Sequence, residues 1–118
     1  MFEIKNNAKN KRGPTITLTR GDYACFTILM HRKNGDLYEL QEGDTLYFTV
    51  KKNTRTKQII FQKVFHYGDE PAVEIENEDT KDEPYGTYSY DCSLVRPGTR
   101  PDTFIGPADF VIAPEVTF

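Results

Sequence analysis

The chain has 118 residues and a formal net charge of −3, with 15 basic and 18 acidic side chains, and this length suits one ordinary domain. Both signs of charge are interspersed, which argues against a nucleic-acid or anionic-membrane partner. No apolar run approaches the roughly 20 residues that cross a bilayer, and residues 1–11 lack the apolar stretch of a signal peptide. We therefore expect a protein that stays in the cytosol in which it is made.

Strands are predicted in nine places, because apolar and polar residues alternate along the chain with period two. Seven Tyr, eight Phe and no Trp favour strands further, since aromatic side chains pack well on sheets. In chain order the predicted strands are Thr15–Thr19, Tyr23–Met30, Leu37–Leu40, Thr45–Lys52, Gln58–Phe65, Ala72–Glu76, Thr87–Val95, Thr103–Ile105 and Phe110–Ala113.

The connections are predicted from their turn chemistry. The acidic segment 77–84 suits one helical turn, ended by Pro84 and Gly86, that crosses from one sheet to the other. A loop at 96–101 precedes a terminal hairpin formed by the last two strands. The strand Gln58–Phe65 carries Ile59, Ile60 and Phe61 in succession, so it is either buried on both faces or bulged.

The number and spacing of the strands predict an all-β fold, an immunoglobulin-like antiparallel β-sandwich of about seven to nine strands. We expect it to occupy residues 13–118 after a flexible N-terminal arm at 1–12. Alternation predicts three inward faces: Phe26, Ile28 and Met30; Leu46, Phe48 and Val50; and Tyr88, Tyr90, Cys92 and Leu94.

Cys25 and Cys92 invite the disulfide of an immunoglobulin domain, and Tyr90-Asp91-Cys92 imitates its tyrosine corner. However, Cys25 alternates with the outer face of its strand, and the chain has no Trp to pack on a bridge. We therefore expect two reduced, partly buried thiols.

Catalytic patterns are absent from the sequence. His31 and His66 lie beside turns without a metal-ligand spacing, and the acidic residues at 74–83 lack the spacing that wraps calcium. Arg20-Gly21-Asp22 spells a receptor-binding tripeptide, but Gly-Asp opens strands twice more downstream and is typical of a turn here. We expect no enzyme, no metal and no cofactor, and a small-molecule ligand is not indicated.

Several segments, read together, resemble a known kind of protein. They are Thr-Leu-Thr-Arg-Gly-Asp (17–22), Gly-Asp-Thr-Leu-Tyr-Phe-Thr-Val-Lys-Lys (43–52), Glu-Asp-Thr-Lys (78–81), Tyr-Gly-Thr-Tyr-Ser-Tyr-Asp (85–91) and Phe-Val-Ile-Ala-Pro-Glu-Val-Thr (110–117). This order resembles small all-β proteins of phage and prophage structural regions in Firmicutes, some similar in character to the N-terminal sandwich of phage baseplate upper proteins. The resemblance spans residues 15–117.

The resemblance implies a non-enzymatic component of the virion, in the tail or baseplate region. Such a protein is in the host cytoplasm during assembly and then in the virion, and it acts by protein–protein assembly with itself or with other phage structural proteins. The resemblance implies no binding residues, because its motifs are turns and strand starts.

Candidate interaction residues come from side chains outside the predicted core. Tyr38, Tyr47, Tyr67 and Tyr85 lie off the inward faces or in loops, while Val116 and Phe118 belong to an apolar C-terminal segment that either forms an open sheet edge or closes the sheet. The alternative function is a carbohydrate- or cell-surface-binding module, in which these tyrosines stack on sugar rings. Convergence of the tyrosines on one patch favours the module, and scatter favours the structural protein.

Overall fold

A computed structural model of the chain describes residues 2–5, for which only the backbone is considered, together with 13–31 and 35–115. In these residues nine strands and one short helix occur, and the all-β sandwich expected from the sequence is confirmed. The elements are β1 (Phe2–Lys5), β2 (Ile16–Thr19), β3 (Ala24–His31), β4 (Leu37–Tyr38), β5 (Thr45–Lys51), β6 (Ile59–His66), β7 (Ala72–Ile75), α1 (Asn77–Thr80), β8 (Gly86–Val95) and β9 (Asp102–Ala113).

The strands form two sheets. Among the described strands, one sheet contains β1, β3, β4 and β7, and the other has the order β2-β9-β8-β5-β6. Most neighbours are antiparallel, as expected, but β1 runs parallel to β3 and β2 runs parallel to β9. Both parallel pairs involve an N-terminal strand that joins the edge of an otherwise antiparallel sheet.

The C-terminal region differs from the prediction. The expected hairpin of Thr103–Ile105 and Phe110–Ala113 is wrong, because both segments belong to the single strand β9. Of the two alternatives for the C-terminal segment 110–118, an open edge or a strand that closes the sheet, the second holds for Phe110–Ala113, which pair with β2 on one side and with β8 on the other. Val116 and Phe118 lie outside the described residues.

The sequence leaves open whether β6 is buried on both faces or contains a bulge, and the structure shows a bulge. Phe61 pairs with Val50 and Ile59 pairs with Lys51, so the intervening Ile60 has no partner of its own in the ladder. This is a β-bulge, and it explains why three consecutive apolar residues occur in one strand.

The N-terminal arm predicted at 1–12 contains one described strand. Phe2–Lys5 form β1, whose residues pair with Phe26–Leu29 of β3. The segment 6–12 lies outside the described residues.

All three predicted inward faces are buried. Phe48 lies at the centre of the core and joins the two sheets, since its ring centroid is 5.4 Å from that of Phe26 on the opposite sheet and 5.4 Å from that of Tyr90 on the same sheet. Burial of these aromatic side chains is the main source of stability in a sandwich of this kind.

The tyrosine corner involves a different tyrosine from the one that the sequence suggests. The Tyr88 hydroxyl donates to the carbonyl oxygen of Pro84, four residues upstream, at 2.6 Å. The Tyr90 hydroxyl instead donates to the carbonyl oxygen of Pro14, at 2.5 Å, and so joins β8 to the segment before β2. Burial raises the pKa of both hydroxyl groups, so both remain donors at neutral pH.

The helical turn expected in 77–84 is present as α1, and it lies where the chain passes from one sheet to the other. Asp79 accepts hydrogen bonds from the Glu76 backbone N–H at 2.8 Å and from Lys63 Nζ of β6 at 2.7 Å. Thr80 is fully buried, and its Oγ1 accepts from the Gly21 N–H at 2.9 Å. The α1 turn therefore holds both sheets together at this end.

The two cysteines are free thiols, as expected. Cys92 is fully buried, and Cys25 is partly buried on the other face of its strand from Phe26. Burial raises the pKa of the Cys92 thiol, which makes it a poor nucleophile.

Candidate functional site

A hollow of about 480 Å³ lies at one end of the four-stranded sheet. Its floor is the segment 27–30 of β3, and its two walls are the segments 37–40 and 67–71. We call it the tyrosine groove. Its functional side chains are Leu37, Tyr38, Glu39, Tyr67, Asp69 and Glu70.

The first wall is held in place by Tyr38. The Tyr38 hydroxyl donates to Asp44 Oδ2 at 2.5 Å, and the same oxygen accepts the Gln41 backbone N–H at 2.8 Å. The Arg96 guanidinium lies 5.4 Å from the Tyr38 ring centroid, within the range of a cation–π contact. Asp44 is 3 % exposed, so the Gly43-Asp44 turn predicted from the sequence anchors this wall from inside.

The second wall is a turn between β6 and β7. Two hydrogen bonds between Asp69 and His66 hold this turn together. The Asp69 backbone N–H donates to the His66 carbonyl at 2.9 Å, and the Asp69 carboxylate accepts the His66 N–H at 2.8 Å. The Pro71 carbonyl accepts the Ile28 N–H at 2.9 Å, which attaches the turn to β3. The turn thus presents Tyr67 on a fixed backbone.

The tyrosine groove combines exposed apolar surface with an acidic rim. Leu37 is 51 % exposed and Tyr67 is 60 % exposed, and the acidic residues Glu39, Asp69 and Glu70 line the same hollow. Because each of these side chains is already about half buried, covering the rest under a partner stabilises a complex by about 1 kcal/mol apiece before the entropic cost of association. The acidic rim favours a partner with Lys or Arg side chains.

The structure brings two of the four predicted tyrosines together. Tyr38 and Tyr67 share the tyrosine groove. Tyr47 lies on the outer face of the other sheet, where it pairs with Val64 and Ser93. The four tyrosines thus do not form one platform.

Tyr85 lies apart from both the tyrosine groove and Tyr47, and the Arg20 side chain covers its ring. The Arg20 guanidinium is 4.2 Å from the Tyr85 ring centroid, and Arg20 Nη2 donates to the Tyr85 hydroxyl at 2.9 Å. Arg20 also contacts Glu115 at 3.3 Å, while the Gly21 carbonyl accepts from Asn77 Nδ2 at 2.9 Å. The Arg-Gly-Asp tripeptide is therefore engaged with α1 and with the start of β8.

Sequence reasoning did not identify Leu37 or the three rim carboxylates of the tyrosine groove. The sequence places Leu37 in a strand, and the turn at 67–71 carries no pattern that points to a site. Of the groove residues, Tyr38 and Tyr67 carry a signal in the sequence, because both are aromatic residues off the predicted inward faces.

The two histidines differ in how far they are buried. His31 is partly buried at the end of β3, with its Nδ1 3.2 Å from the Gly35 carbonyl, which requires a proton on that nitrogen. His66 is exposed. No group of three or more His, Cys, Asp or Glu side chains that could hold a metal ion occurs in the described part of the chain.

None of the helices in residues 2–5, 13–31 and 35–115 has the length and apolar character required to span a membrane. Neither a protein-family model nor a curated protein matches this chain.

Proposed function

We propose that the protein is a non-enzymatic structural or interaction component of a phage or prophage particle, in the tail or baseplate region, that acts through protein–protein assembly. The particle context comes from the sequence resemblance. The observation that supports assembly is the tyrosine groove, in which two exposed apolar side chains and three carboxylates are presented on hydrogen-bonded walls.

The partner that fits the tyrosine groove is a protein segment with apolar and basic side chains. Leu37 and Tyr67 offer the apolar contact, and the acidic rim attracts the basic groups and fixes their register. The chain itself carries such basic residues, since Lys5, Lys9, Lys11 and Arg12 lie close together in the sequence. A second copy of the chain is therefore one possible source of the partner segment.

The alternative function, a carbohydrate-binding module built on a tyrosine platform, receives less support. Tyr38 has its hydroxyl bound by Asp44, Tyr85 has Arg20 over its ring, and Tyr47 lies on a different sheet from the tyrosine groove. Rings arranged in this way cannot stack together on one sugar chain.

Mass spectrometry of particles tests the proposed location. We would induce the prophage of the source strain, purify the released particles and search them for peptides of this chain. We expect the chain at a constant ratio to the other tail proteins. Its absence from intact purified particles would contradict the proposal.

Light scattering coupled to size exclusion, under reducing conditions and over a concentration series, tests assembly with itself. We expect a concentration-stable oligomer that Tyr67→Ser weakens. Tyr23→Ser is the matched control, because Tyr23 has a similar exposure of 58 % but lies outside the tyrosine groove. A strict monomer would exclude self-assembly and would leave only foreign partners, which the particle experiment detects.

A further inference from the structure

The outer face of the five-stranded sheet carries polar side chains in three rows. The rows are Tyr47, Ser93 and Thr103; Thr49 and Asp91 beside Gly106 and Pro107; and Lys51, Ser89 and Asp109. Asp91 occupies the centre of this face, on the strand that lies in the middle of the sheet.

A β-bulge in β9 creates a hollow beside Asp91. Tyr90 pairs with Ala108 and Cys92 pairs with Ile105, so Gly106 and Pro107 together face the single residue Asp91. A Cβ atom on Gly106 would lie 2.5 Å from the Asp91 Cβ, and Gly106 has φ of +123°, so only glycine fits there. Next to this contact is a hollow of about 280 Å³, which we call the Asp91 hollow. It is lined by Lys51, Asn53, Thr54, Ser89, Tyr90, Asp91, Thr103 and Pro107.

The hydroxyl groups nearest to Asp91 are engaged with other residues. Thr49 Oγ1 accepts from Gln62 Nε2 at 2.9 Å, and Ser93 Oγ lies 3.0 Å from Thr103 Oγ1. The Asp91 carboxylate makes no hydrogen bond or ion pair within the described part of the chain. The Asp91 oxygens are not among the buried atoms that lack a partner, so they reach the surface of the hollow and are accessible to a ligand there.

The electrostatics of Asp91 agree with a binding role. Burial raises the pKa of Asp91, and the nearby Lys51 ammonium partly opposes this effect. Charged groups kept where burial penalises them are found preferentially at functional sites.

We propose that the Asp91 hollow binds one sugar ring, whose hydroxyl groups donate hydrogen bonds to the Asp91 carboxylate. The other groups of the hollow suit the same ligand. The Lys51 ammonium and the Asn53 Nδ2 group can donate, and the Ser89 hydroxyl can donate or accept, while Asn53 Oδ1 already accepts the Arg55 backbone N–H at 2.9 Å. Pro107 adds an apolar surface for the carbon face of a sugar ring.

Charge distinguishes a sugar from a cationic ligand. The Lys51 ammonium offsets the Asp91 carboxylate, so the hollow favours a neutral ligand with many hydroxyl groups over an arginine or lysine side chain of a partner. A metal ion is disfavoured for the same reason, and a single carboxylate provides too few ligands for one.

The volume limits the ligand to a small one. Pockets for drug-sized ligands span about 300–1,000 Å³, so a hollow of about 280 Å³ suits one ring.

This inference is independent of the proposed function, because a particle component and a free module can each bind a sugar. It also revises the expectation that a small-molecule ligand is not indicated. The hollow arises from the bulge at Gly106 and Pro107, which no sequence motif predicts.

The test is an NMR titration of the isotope-labelled full chain, observed through its backbone amide signals. The probes are the methyl glycosides of glucose, galactose, mannose and N-acetylglucosamine, added singly up to high millimolar concentration, and methylguanidinium chloride. We expect at least one sugar to shift the amide signals of Ser89, Asp91 and Thr103 in a saturable manner. Asp91→Asn should weaken this binding about tenfold or more, since hydrogen bonds to a charged acceptor are the stronger ones.

The matched control is Asp82→Asn, which removes an exposed carboxylate outside the hollow and should leave the affinity unchanged. If Asp91→Asn does not fold, Ser89→Ala replaces it with the same expectation of weaker binding. The proposal is overturned if no sugar shifts these signals, if the affinity is the same in the variant, or if methylguanidinium alone binds. That last result would assign the hollow to a basic side chain of a protein partner.

Discussion

The inner and outer faces of β8 differ in burial and in how their polar groups are satisfied. On the inner face Tyr88, Tyr90, Cys92 and Leu94 are buried between the sheets. On the outer face Ser89, Asp91 and Ser93 are only partly buried. The same ten residues thus contribute both to the core and to the Asp91 hollow.

This difference indicates that the inner face of β8 contributes mainly to stability and the outer face mainly to binding. On the inner face both tyrosine hydroxyls have a hydrogen-bond acceptor, Pro84 for Tyr88 and Pro14 for Tyr90. On the outer face Asp91 is left without one among the described residues. Inner-face changes should therefore lower the free energy of unfolding, and outer-face changes should alter binding and pH dependence instead.

The largest effect is expected from Phe48→Ala, which empties the centre of the inner layer. Phe48 is fully buried against Phe26 and Tyr90, and such truncations cost about 3–5 kcal/mol. Urea unfolding followed by circular dichroism measures the loss. Phe48→Leu is the milder control, and a loss below about 1 kcal/mol for alanine would contradict tight packing between the sheets.

A smaller effect is expected from Tyr90→Phe. The variant keeps the ring but leaves the Pro14 carbonyl without its donor, which should cost about 1–2 kcal/mol. The same urea experiment measures it, and hydrogen exchange should show faster exchange in β2, since Pro14 lies just before that strand. Unchanged exchange in β2 would mean that this bond does not hold the segment.

On the outer face, Asp91→Asn should raise the stability at neutral pH. The folded-state pKa of Asp91 is raised above its unfolded value, so the folded state binds a proton more tightly than the unfolded state does. Ionised Asp91 therefore destabilises the fold at a pH above its raised pKa, and this penalty disappears as the pH falls below the unfolded value of about 3.9.

Urea midpoints of Asp91→Asn and of the parent, measured from neutral to acidic pH, test this sign. The difference should be largest at neutral pH and should shrink as the pH falls. Lys51 and Asp109 are the charged residues of the neighbouring row on this face. When Lys51→Met is added to both proteins, the stability difference between Asp91→Asn and its parent should grow, because the positive charge that favours ionised Asp91 is gone. A parent that is more stable than Asp91→Asn at neutral pH would contradict the assigned pKa direction.

The smallest effect is expected from Ser93→Ala, also on the outer face. Its hydroxyl contacts only that of Thr103 among the described residues, and both side chains are partly exposed. The free energy of unfolding should change by less than about 0.5 kcal/mol. A larger loss would show that the outer face contributes to stability and would weaken the contrast between the two faces.

Much of the fold could be predicted because the pattern that encodes it is local. Alternation identified β5 and β8 and their buried residues, since side chains leave a strand on alternate faces whatever it pairs with. The turn at α1 was predicted for the same reason, because Pro84 and Gly86 act on their own neighbours.

Less of the candidate sites could be predicted, because they depend on contacts between distant segments. The sequence places Tyr38 and Tyr67 off the inward faces, but their meeting in one groove requires the turn at 67–71 to attach to β3 through Ile28. In the sequence Asp91 is only part of an imitated tyrosine corner, and the hollow beside it depends on a bulge in β9.

The sequence by itself determined the all-β class and the inward faces of β3, β5 and β8, because these follow from side-chain period and polarity within each segment. Only the tertiary structure decided that β9 is one strand between β2 and β8, that Tyr90 reaches Pro14 and that Asp91 lies in a hollow. Each of these depends on which segments pair across long stretches of chain. Pairing is selected by the packing of the whole sandwich, and local alternation does not encode it.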